Sequence, residues 1–421
     1  MKYTKKTLKN GLRIMTMPMK DSETAIAMVL VETGSDYETK NINGLSHFLE
    51  HMCFKATEKR SGDDIKYELD SLGSDSNAFT GNEYTGYYAK ASHARIDKIL
   101  DLVSDMYLNP TFPEKDIAIE KGVIIEEINM YEDLPQRKVW DIWMKLLYGN
   151  QPAGQTIIGP KENIQKIKQA DFKKYHSEHY VPGKTVIVVA GKINEEKIIK
   201  LVEEKFNALP KGKISKKVKT TDEQKTPQIK IFDKKSDQTH LILGFRAFDL
   251  YDKRNKVLSL ASVILGKGFS SRLFTKMRDE LGMCYYTRAD VETFTDHGYF
   301  VVSAGVGNPR FEEAVQVIME EFKKIRDIDI SEKELQKAKD FALGKLATGL
   351  ETSDAWAMFY GFQELHHEKI ETPEEVAAKI SKITAKDIKK VLAEVFNSKN
   401  LNLAVVGPQK VTPALKKSLK I

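Results

Sequence analysis

The order of apolar and polar positions predicts a chain in which strands come in blocks and helices come in pairs. In the first half, apolar runs bounded by turn residues predict strands near 12–18, 24–33, 76–80, 84–90 and 184–191. Helical periodicity predicts helices near 44–55, 62–72, 94–108, 113–132, 136–147, 161–179 and 194–207. Because strict strand–helix–strand alternation is missing, this pattern favours an α+β fold with mostly antiparallel sheets.

The ends of the two halves of the sequence resemble each other. Residues 167–191 superpose without gaps on residues 383–407, at an offset of 216 and with seven identities in 25 positions. Each copy is an amphipathic helix followed by an apolar strand that ends in glycine. Between the halves lies a lysine-rich stretch without an apolar period. We therefore predict two homologous domains, 1–209 and 228–421, joined by a linker at 210–227; chance likeness of two lysine-rich helices is the alternative.

Composition narrows the class of protein. The 421 residues are 41% hydrophobic and 30% charged, which is typical of a folded globular protein. The longest apolar run, 25–31, is too short to cross a bilayer. A net charge of +6 is too small to indicate nucleic-acid binding. Only two cysteines, Cys53 and Cys284, are present, which fits a reducing compartment, so we expect a cytoplasmic protein without membrane or nucleic-acid partners.

Candidate chemistry begins at His47-Phe-Leu-Glu50-His51. On a helix, positions i, i+3 and i+4 share one face, so His47, Glu50 and His51 project together. Two imidazoles one turn apart can bind one Zn²⁺, and the glutamate between them can accept a proton from water. This is the inverted H-x-x-E-H order. The alternative is a solvated helix face that carries histidine and glutamate by accident.

A second helix, predicted to start near Pro113, carries two carboxylates within an apolar stripe. On a helical wheel, Glu120 and Glu127 share a face with Ile117, Val123 and Ile124, as do Ile128 and Tyr131. Glu126 falls on the polar side. Buried carboxylates need a cation or a hydrogen-bond network. The wheel therefore selects Glu127 over Glu126, and a carboxylate of this stripe could complete a zinc site with the two histidines; a buried salt bridge without a metal is the alternative.

These residues resemble the pitrilysin and insulin-degrading-enzyme family of inverted-motif zinc metallopeptidases, most closely its short-chain branch of mitochondrial processing peptidase and bacterial homologues. In that family the glutamate ligand follows the motif by some 76 residues, inside an E-x6-E segment. Here Glu127 lies 76 residues after His51, and Glu120 lies seven before Glu127. The resemblance implies that His47, His51 and Glu127 bind one zinc per chain, that Glu50 is the general base, and that Glu120 is an acid behind the ligands.

Two further stretches match only through the resemblance. Asn77, Ala78, Phe79 and Thr80 resemble the family's N-A-x-T edge strand, which pairs with an extended substrate. Arg278 and Tyr285 resemble its R-x6-Y element, which contacts the substrate carbonyl or its oxyanion. Without the family, Asn77 reads as a turn residue, and Arg278 and Tyr285 read as a surface arginine and a strand tyrosine.

The resemblance implies a zinc endopeptidase that hydrolyses peptides or unfolded segments inside a closed chamber, with Glu50 activating a zinc-bound water. It also implies a homodimer in which Arg278 and Tyr285 of one subunit complete the site of the other, and a second domain without metal. A catalytically silent core subunit and a non-peptidase zinc protein are the alternatives. We expect His176 and His179 to lie at the surface, and His366 and His367 to face different ways.

Overall fold

The structure, a computed structural model, describes residues 1–366 and 369–421, so the expectation for His367 lies outside the described residues. The chain forms two units, each assembled from three segments. The first unit contains Met1–Ile128, Gln155–Val218 and Thr348–Thr372, and the second contains Asn129–Gly154, Lys219–Ala347 and Pro373–Ile421. Each unit therefore takes one segment from the opposite half of the sequence. The predicted division of the chain at 210–227 stays a prediction, and no helix or strand lies in that stretch.

Each unit is built on one sheet. The strands of the first are β1 (Thr4–Thr7), β2 (Arg13–Pro18), β3 (Thr24–Val31), β4 (Asp75–Thr80), β5 (Thr85–Ser92) and β6 (Thr185–Gly191). Those of the second are β7 (Gln228–Phe232), β8 (Gln238–Ala247), β9 (Cys284–Thr293), β10 (Gly298–Gly307) and β11 (Leu401–Val406). The strand orders are β1-β2-β6-β3-β5-β4 and β7-β11-β8-β10-β9. Among the described strands only the β2–β6 and β7–β11 pairs are parallel, so both sheets are largely antiparallel.

Fifteen helices pack on these sheets in the described part of the chain. The first eight are α1 (Leu45–Met52), α2 (Gly62–Ser71), α3 (Ile96–Leu108), α4 (Glu114–Asp133), α5 (Pro135–Tyr148), α6 (Lys161–Lys166), α7 (Gln169–His179) and α8 (Glu195–Phe206). The others are α9 (Asn255–Gly266), α10 (Phe311–Asp327), α11 (Glu332–Thr348), α12 (Ser353–Leu365), α13 (Pro373–Ser381), α14 (Ala385–Val395) and α15 (Pro413–Ser418). A π-helical turn, Phe274–Glu280, precedes β9.

Both faces of each sheet are buried, which explains the continuous apolar runs of the central strands. Along β3, Ala27 and Val29 face the core formed with α1, α3 and α4, whereas Met28 faces the opposite side, towards α12. In the second unit Leu243 faces the core formed with α9, α10 and α14, and Ile242 faces α5.

The helices α5 and α12 are the segments that cross between halves. Helix α12, from the second half of the sequence, covers β3 and β6 through Ala357 and Tyr360. Helix α5, from the first half, covers β8 and β11 through Val139 and Trp143, and the Trp143 ring lies 5.7 Å from that of Tyr299. Each sheet thus receives its second layer from the other half of the sequence.

The α+β fold class predicted from sequence is confirmed, with two details that the pattern missed. Strand β1 was not predicted, because all four of its residues are exposed and give no apolar signal. The single helix predicted over 161–179 is two helices. Residues Ile167 and Lys168 are extended between them, and the Asp171 carboxylate accepts a hydrogen bond from the Lys168 amide at 2.8 Å, which begins a new helix.

None of the helices in the described residues is long and apolar enough to cross a membrane. Cys53 and Cys284 are both buried and neither forms a disulfide.

Candidate metal centre

Helix α1 presents the H-x-x-E-H residues because its apolar face is anchored in the core. Phe48, Leu49 and Met52 are fully buried, so His47, Glu50 and His51 point away from the core on the opposite face. Gly44 immediately precedes the helix, and its φ of +100° is a conformation that L side chains rarely adopt. A Cβ at Gly44 would also lie 2.6 Å from the carbonyl oxygen of Ile158. Glycine is therefore required where α1 begins.

The start of α1 is capped by a carboxylate from outside the helix. Oε2 of Glu38 accepts hydrogen bonds from the Gly44 amide at 2.8 Å and from Nδ2 of Asn43 at 2.9 Å, and Oε1 accepts from the Ser46 amide at 2.5 Å. Burial raises the pKa of Glu38 to about 7, although these hydrogen bonds oppose the rise. Glu38 fixes the helix start without touching a candidate ligand, and the sequence pattern did not reveal it.

Helix α4 brings the third candidate ligand beside α1. Ile117, Ile124 and Ile128 are buried in the core together with Glu120, whereas Glu126 is exposed. Burial in the structure therefore distinguishes Glu127 from the exposed Glu126, as the helical wheel predicted. One member of the predicted stripe, Val123, is 48% exposed, because it lies at the border of the buried face.

The three candidate ligands converge on one point. Oε2 of Glu127 lies 3.7 Å from Nε2 of His47 and 3.7 Å from Nε2 of His51. One donor atom from each side chain lies within 4.8 Å of the others, and this is the single such group of histidine, cysteine, aspartate or glutamate in the described residues. Tetrahedral zinc, with bonds of about 2.1 Å, separates its ligand atoms by about 3.4 Å. The nitrogen and oxygen donors therefore fit Zn²⁺ after small movements.

The ionisation of these side chains suits metal binding. Burial, reinforced by the neighbouring His51, lowers the pKa of His47 to about 3, so its imidazole is neutral near pH 7. Burial also lowers the pKa of His51, but the hydrogen bond that its Nδ1 donates to Glu120 and the nearby carboxylates outweigh this effect, so the net direction of the pKa shift is upward. A bound cation would repel the extra proton on His51.

Two further side chains, Glu120 and Thr80, form hydrogen bonds with His51 and Glu50. Nδ1 of His51 lies 2.8 Å from Oε1 of Glu120, whose other oxygen lies 2.5 Å from Nζ of Lys55. The hydroxyl of Thr80 donates a hydrogen bond to Oε2 of Glu50. Burial raises the pKa of Glu50, whereas the Thr80 hydrogen bond opposes this rise. Neither Lys55 nor the contact between Thr80 and Glu50 was expected, because residue spacing carries no signal for either.

The predicted substrate strand is β4, the last strand of the first sheet. Within the described residues β4 pairs only with β5, so its other edge is free to pair with an extended peptide. Asn77 is exposed, and its Oδ1 accepts a hydrogen bond from the Ala78 amide at 2.9 Å. Ala78 is buried, and the ring of Phe79 packs near those of Tyr84 and Tyr88.

Arg278 and Tyr285 lie together in the second unit. The Arg278 guanidinium is 5.3 Å from the centre of the Tyr285 ring and 4.8 Å from that of Phe274. Tyr285 is 77% exposed, and Arg278 is also exposed. Among the described residues no carboxylate pairs with Arg278.

The expectation that His176 and His179 lie at the surface is wrong. His179 is buried against Tyr175, with ring centres 4.1 Å apart, and Nε2 of His176 bonds the Tyr107 carbonyl oxygen at 2.8 Å. Both share the buried face of α7 with Phe172, at the i, i+3, i+4 and i+7 spacing that could have revealed it.

Comparison with known proteins finds matches along most of the chain. The family description "Insulinase (Peptidase family M16)" matches residues 13–161, and "Peptidase M16 inactive domain" matches residues 166–341. A protein of Bacillus subtilis named an uncharacterized zinc protease is 32% identical, over 97% of this chain and 99% of its own. Another uncharacterized zinc protease, from Mycobacterium leprae, is 31% identical over 99% of this chain and 94% of its own.

Solved structures show the same fold. A protease from Helicobacter pylori superposes with a TM-score of 0.90 and 24% identity, covering 96% of this chain and 99% of its own. A Pseudomonas fluorescens structure titled peptidase M16 inactive domain also has a TM-score of 0.90, with 19% identity, over 98% of this chain and 100% of its own. The two matched domains and the relatives that align end to end together show that this chain belongs to peptidase family M16, the insulinase family.

Proposed function

We propose that this protein is a zinc-dependent endopeptidase. The observation that carries the proposal is the convergence of His47, His51 and Glu127 beside a half-buried carboxylate, Glu50, which shares the helix face of the two histidines. Three protein ligands leave one coordination position for water or substrate, which distinguishes hydrolytic zinc sites from structural ones. The relatives named zinc proteases support the same choice of metal.

Zn²⁺ bound by these residues would supply Lewis acidity, which polarises a carbonyl and lowers the pKa of water. Glu50 accepts the proton of the attacking water and later delivers it to the leaving amine. Thr80 orients this carboxylate, since its hydroxyl donates to one oxygen and leaves the other available. Glu120 holds the His51 ring by accepting the Nδ1 proton, so that Nε2 faces Glu127.

The substrate that suits this site is an extended peptide or an unfolded segment. The free edge of β4 ends at Thr80, which touches the general base, so a peptide paired with β4 would place its main chain beside the reactive groups. Main-chain pairing makes few demands on side chains. We therefore propose cleavage of varied peptides, inside a closed chamber formed on dimerisation.

Arg278 and Tyr285 are proposed to act on the substrate carbonyl from a second copy of the chain. Both are exposed and adjacent, and no carboxylate of the described residues neutralises the guanidinium. A cation and a hydroxyl presented together are suited to a developing oxyanion. Because one chain carries both the metal residues and this pair, a homodimer would contain two equivalent sites.

Metal removal tests the proposal. The purified chain should contain about one zinc and cleave a quenched fluorescent peptide library. A chelator should abolish cleavage, and stoichiometric Zn²⁺ should restore it. Zinc binding at full occupancy without cleavage of any peptide would instead favour a silent core subunit or a non-peptidase zinc protein.

A further inference from the structure

The second unit contains a large cavity that the proposed peptidase mechanism does not use. Its volume is about 1430 Å³, and it lies between α5, α9, β9, α11 and α13. Every residue that lines it belongs to the second unit. Typical small-molecule sites occupy about 300–1,000 Å³, so there is room for a ligand and its hydration.

This cavity occupies the position that the metal centre occupies in the first unit. The 216-residue repeat superposes Ile187 on Leu403, and strand pairing leads from each across its sheet to an edge residue. The two paths are Ile187–Val29–Tyr87–Ala78 and Leu403–Leu243–Val302–Ala289. Ala78 therefore corresponds to Ala289, and Asn77, the residue before it, corresponds to Arg288.

The helices correspond in the same way. Helices α4 and α11 begin with Glu114-Lys115 and Glu332-Lys333, an offset of 218 that superposes Glu127 on Lys345. Superposing the buried faces of α1 and α9 places Phe48, Leu49 and Met52 on Leu260, Ala261 and Ile264. His47 then corresponds to Ser259, and His51 to Val263.

All four counterparts, Ser259, Val263, Arg288 and Lys345, line the cavity. The three candidate metal ligands of the first unit thus correspond to a serine, a valine and a lysine in the second. The change is also one of charge, since a carboxylate has become an ammonium at Lys345 and a neutral amide has become a guanidinium at Arg288. The position that would bind a cation in the first unit therefore carries cationic side chains in the second.

The rest of the lining strengthens this charge. Lys256 and Lys267 add two more cations, against a single carboxylate, Asp290. The Asp290 carboxylate pairs with two of these cations, since it lies 3.3 Å from Nζ of Lys267 and 2.8 Å from Nε of Arg288. The ammonium of Lys345 lies 5.9 Å from the centre of the Phe341 ring, which belongs to an aromatic wall of the cavity. That wall consists of Trp140, Phe269, Phe274, Tyr286 and Phe341.

We propose that this cavity binds a small organic anion, with its carboxylate or phosphate held by Arg288 and Lys345 and its apolar body packed on the aromatic wall. Guanidinium and ammonium groups bind both kinds of anion through charge-assisted hydrogen bonds. Burial of an aromatic or aliphatic body supplies the remaining affinity. The site is separate from the metal residues and would exist whether or not the peptidase proposal holds.

Calorimetric titration of the full chain tests the proposal with four probes: phenyl phosphate, benzoate, inorganic phosphate and benzyl alcohol. Phenyl phosphate and benzoate should each saturate one site. Each should bind at least about tenfold more tightly than inorganic phosphate or benzyl alcohol, because only these two probes carry both an anionic group and an aromatic ring. Comparison of the first two probes tells whether phosphate or carboxylate is preferred. Raising the salt concentration should weaken their binding.

Variants locate the site. Lys345→Glu, which introduces the carboxylate found at Glu127 in the first unit, should weaken binding of the aromatic anions by about tenfold or more. Lys333→Glu, the same change at a lysine of α11 that does not line the cavity, should not. Arg288→Asn provides a second variant if Lys345→Glu fails to fold. His47→Ala should leave anion binding intact, since the metal centre is elsewhere. Absence of saturable binding, equal affinity for benzyl alcohol, or loss of binding in His47→Ala but not in Lys345→Glu would overturn the proposal.

Discussion

His51 and Glu120 are joined by a hydrogen bond of 2.8 Å between Nδ1 and Oε1, and the second oxygen of Glu120 is paired with Lys55. Glu120 is only 4% exposed. The contact fixes the tautomer of His51, because a proton on Nδ1 leaves the lone pair of Nε2 directed towards Glu127. In the proposed zinc site, Glu120 would therefore be a positioning residue that acts on the metal through His51.

Glu120→Gln should lower zinc affinity by about 10–100-fold, because the His51 ring loses its charged partner. Competition with a calibrated chelator measures this directly. Glu126→Gln is the matched control, since Glu126 lies on the same helix but is exposed, and its zinc affinity should equal that of the native chain. Unchanged affinity in Glu120→Gln would show that the contact does not orient the ligand.

Glu38 should make stability depend on pH. Its pKa is raised from 4.5 to about 7 in the folded chain, so between these values the folded state holds more protons than the unfolded state. Stability from this group is therefore present at low pH and is lost as pH rises through about 7. The two pKa values differ by an amount worth about 3 kcal/mol. Relative to Glu38→Gln, the native chain should lose up to about that much unfolding free energy between about pH 5 and about pH 8.

Urea unfolding of both chains across this range measures the difference. A constant gap between native and Glu38→Gln unfolding free energies would mean that Glu38 does not titrate in this window.

Thr80→Val should impair the general base without removing the metal. Loss of the hydroxyl removes the hydrogen bond that opposes the raised pKa of Glu50, so the acidic limb of the kcat/KM profile should move to higher pH. We expect kcat to fall by about tenfold or more with zinc content unchanged. Thr4→Val, on the exposed strand β1, is the control. An unshifted profile would exclude a role for Thr80 in setting the Glu50 pKa.

Mixing two inactive variants should restore activity if Arg278 and Tyr285 act across a homodimer. Random assortment of Glu50→Gln and Arg278→Ala chains makes half the dimers mixed, and each mixed dimer contains one intact site. About a quarter of native activity per chain should therefore return. A chain that carries both substitutions is the negative control, because its dimers contain no intact site. No recovery at any ratio, with mixed dimers shown to form, would place the whole site within one chain.

Hydrophobic periodicity was sufficient to predict the helices that carry the candidate metal ligands, because their apolar faces are regular. The α4 wheel distinguished Glu127 from Glu126 because the buried isoleucines define one face. It could not identify Lys55 or Glu38, since their contacts depend on how separate segments fold together. Arg278 and Tyr285 came from the family resemblance alone, because an exposed arginine and tyrosine leave no periodic signal.

The hydrophobic pattern also did not predict which sheet each helix covers. The apolar faces of α5 and α12 predict burial, but nothing in an amphipathic stripe says that Trp143 packs on Tyr299 of the opposite half. Sequence order favoured packing within each half. Shape complementarity between particular side chains decides this choice, and it is visible only in the folded structure.

Peptide cleavage by Glu50→Gln, with zinc content measured on the same samples, tests the central claim most directly. The amide keeps the size of the side chain but cannot accept the proton of the attacking water. We predict that Glu50→Gln retains native zinc and loses at least about a thousandfold in kcat, while Glu126→Gln retains both zinc and activity. Full activity of zinc-loaded Glu50→Gln would contradict the assignment of Glu50 as the general base and, with it, the proposed mechanism.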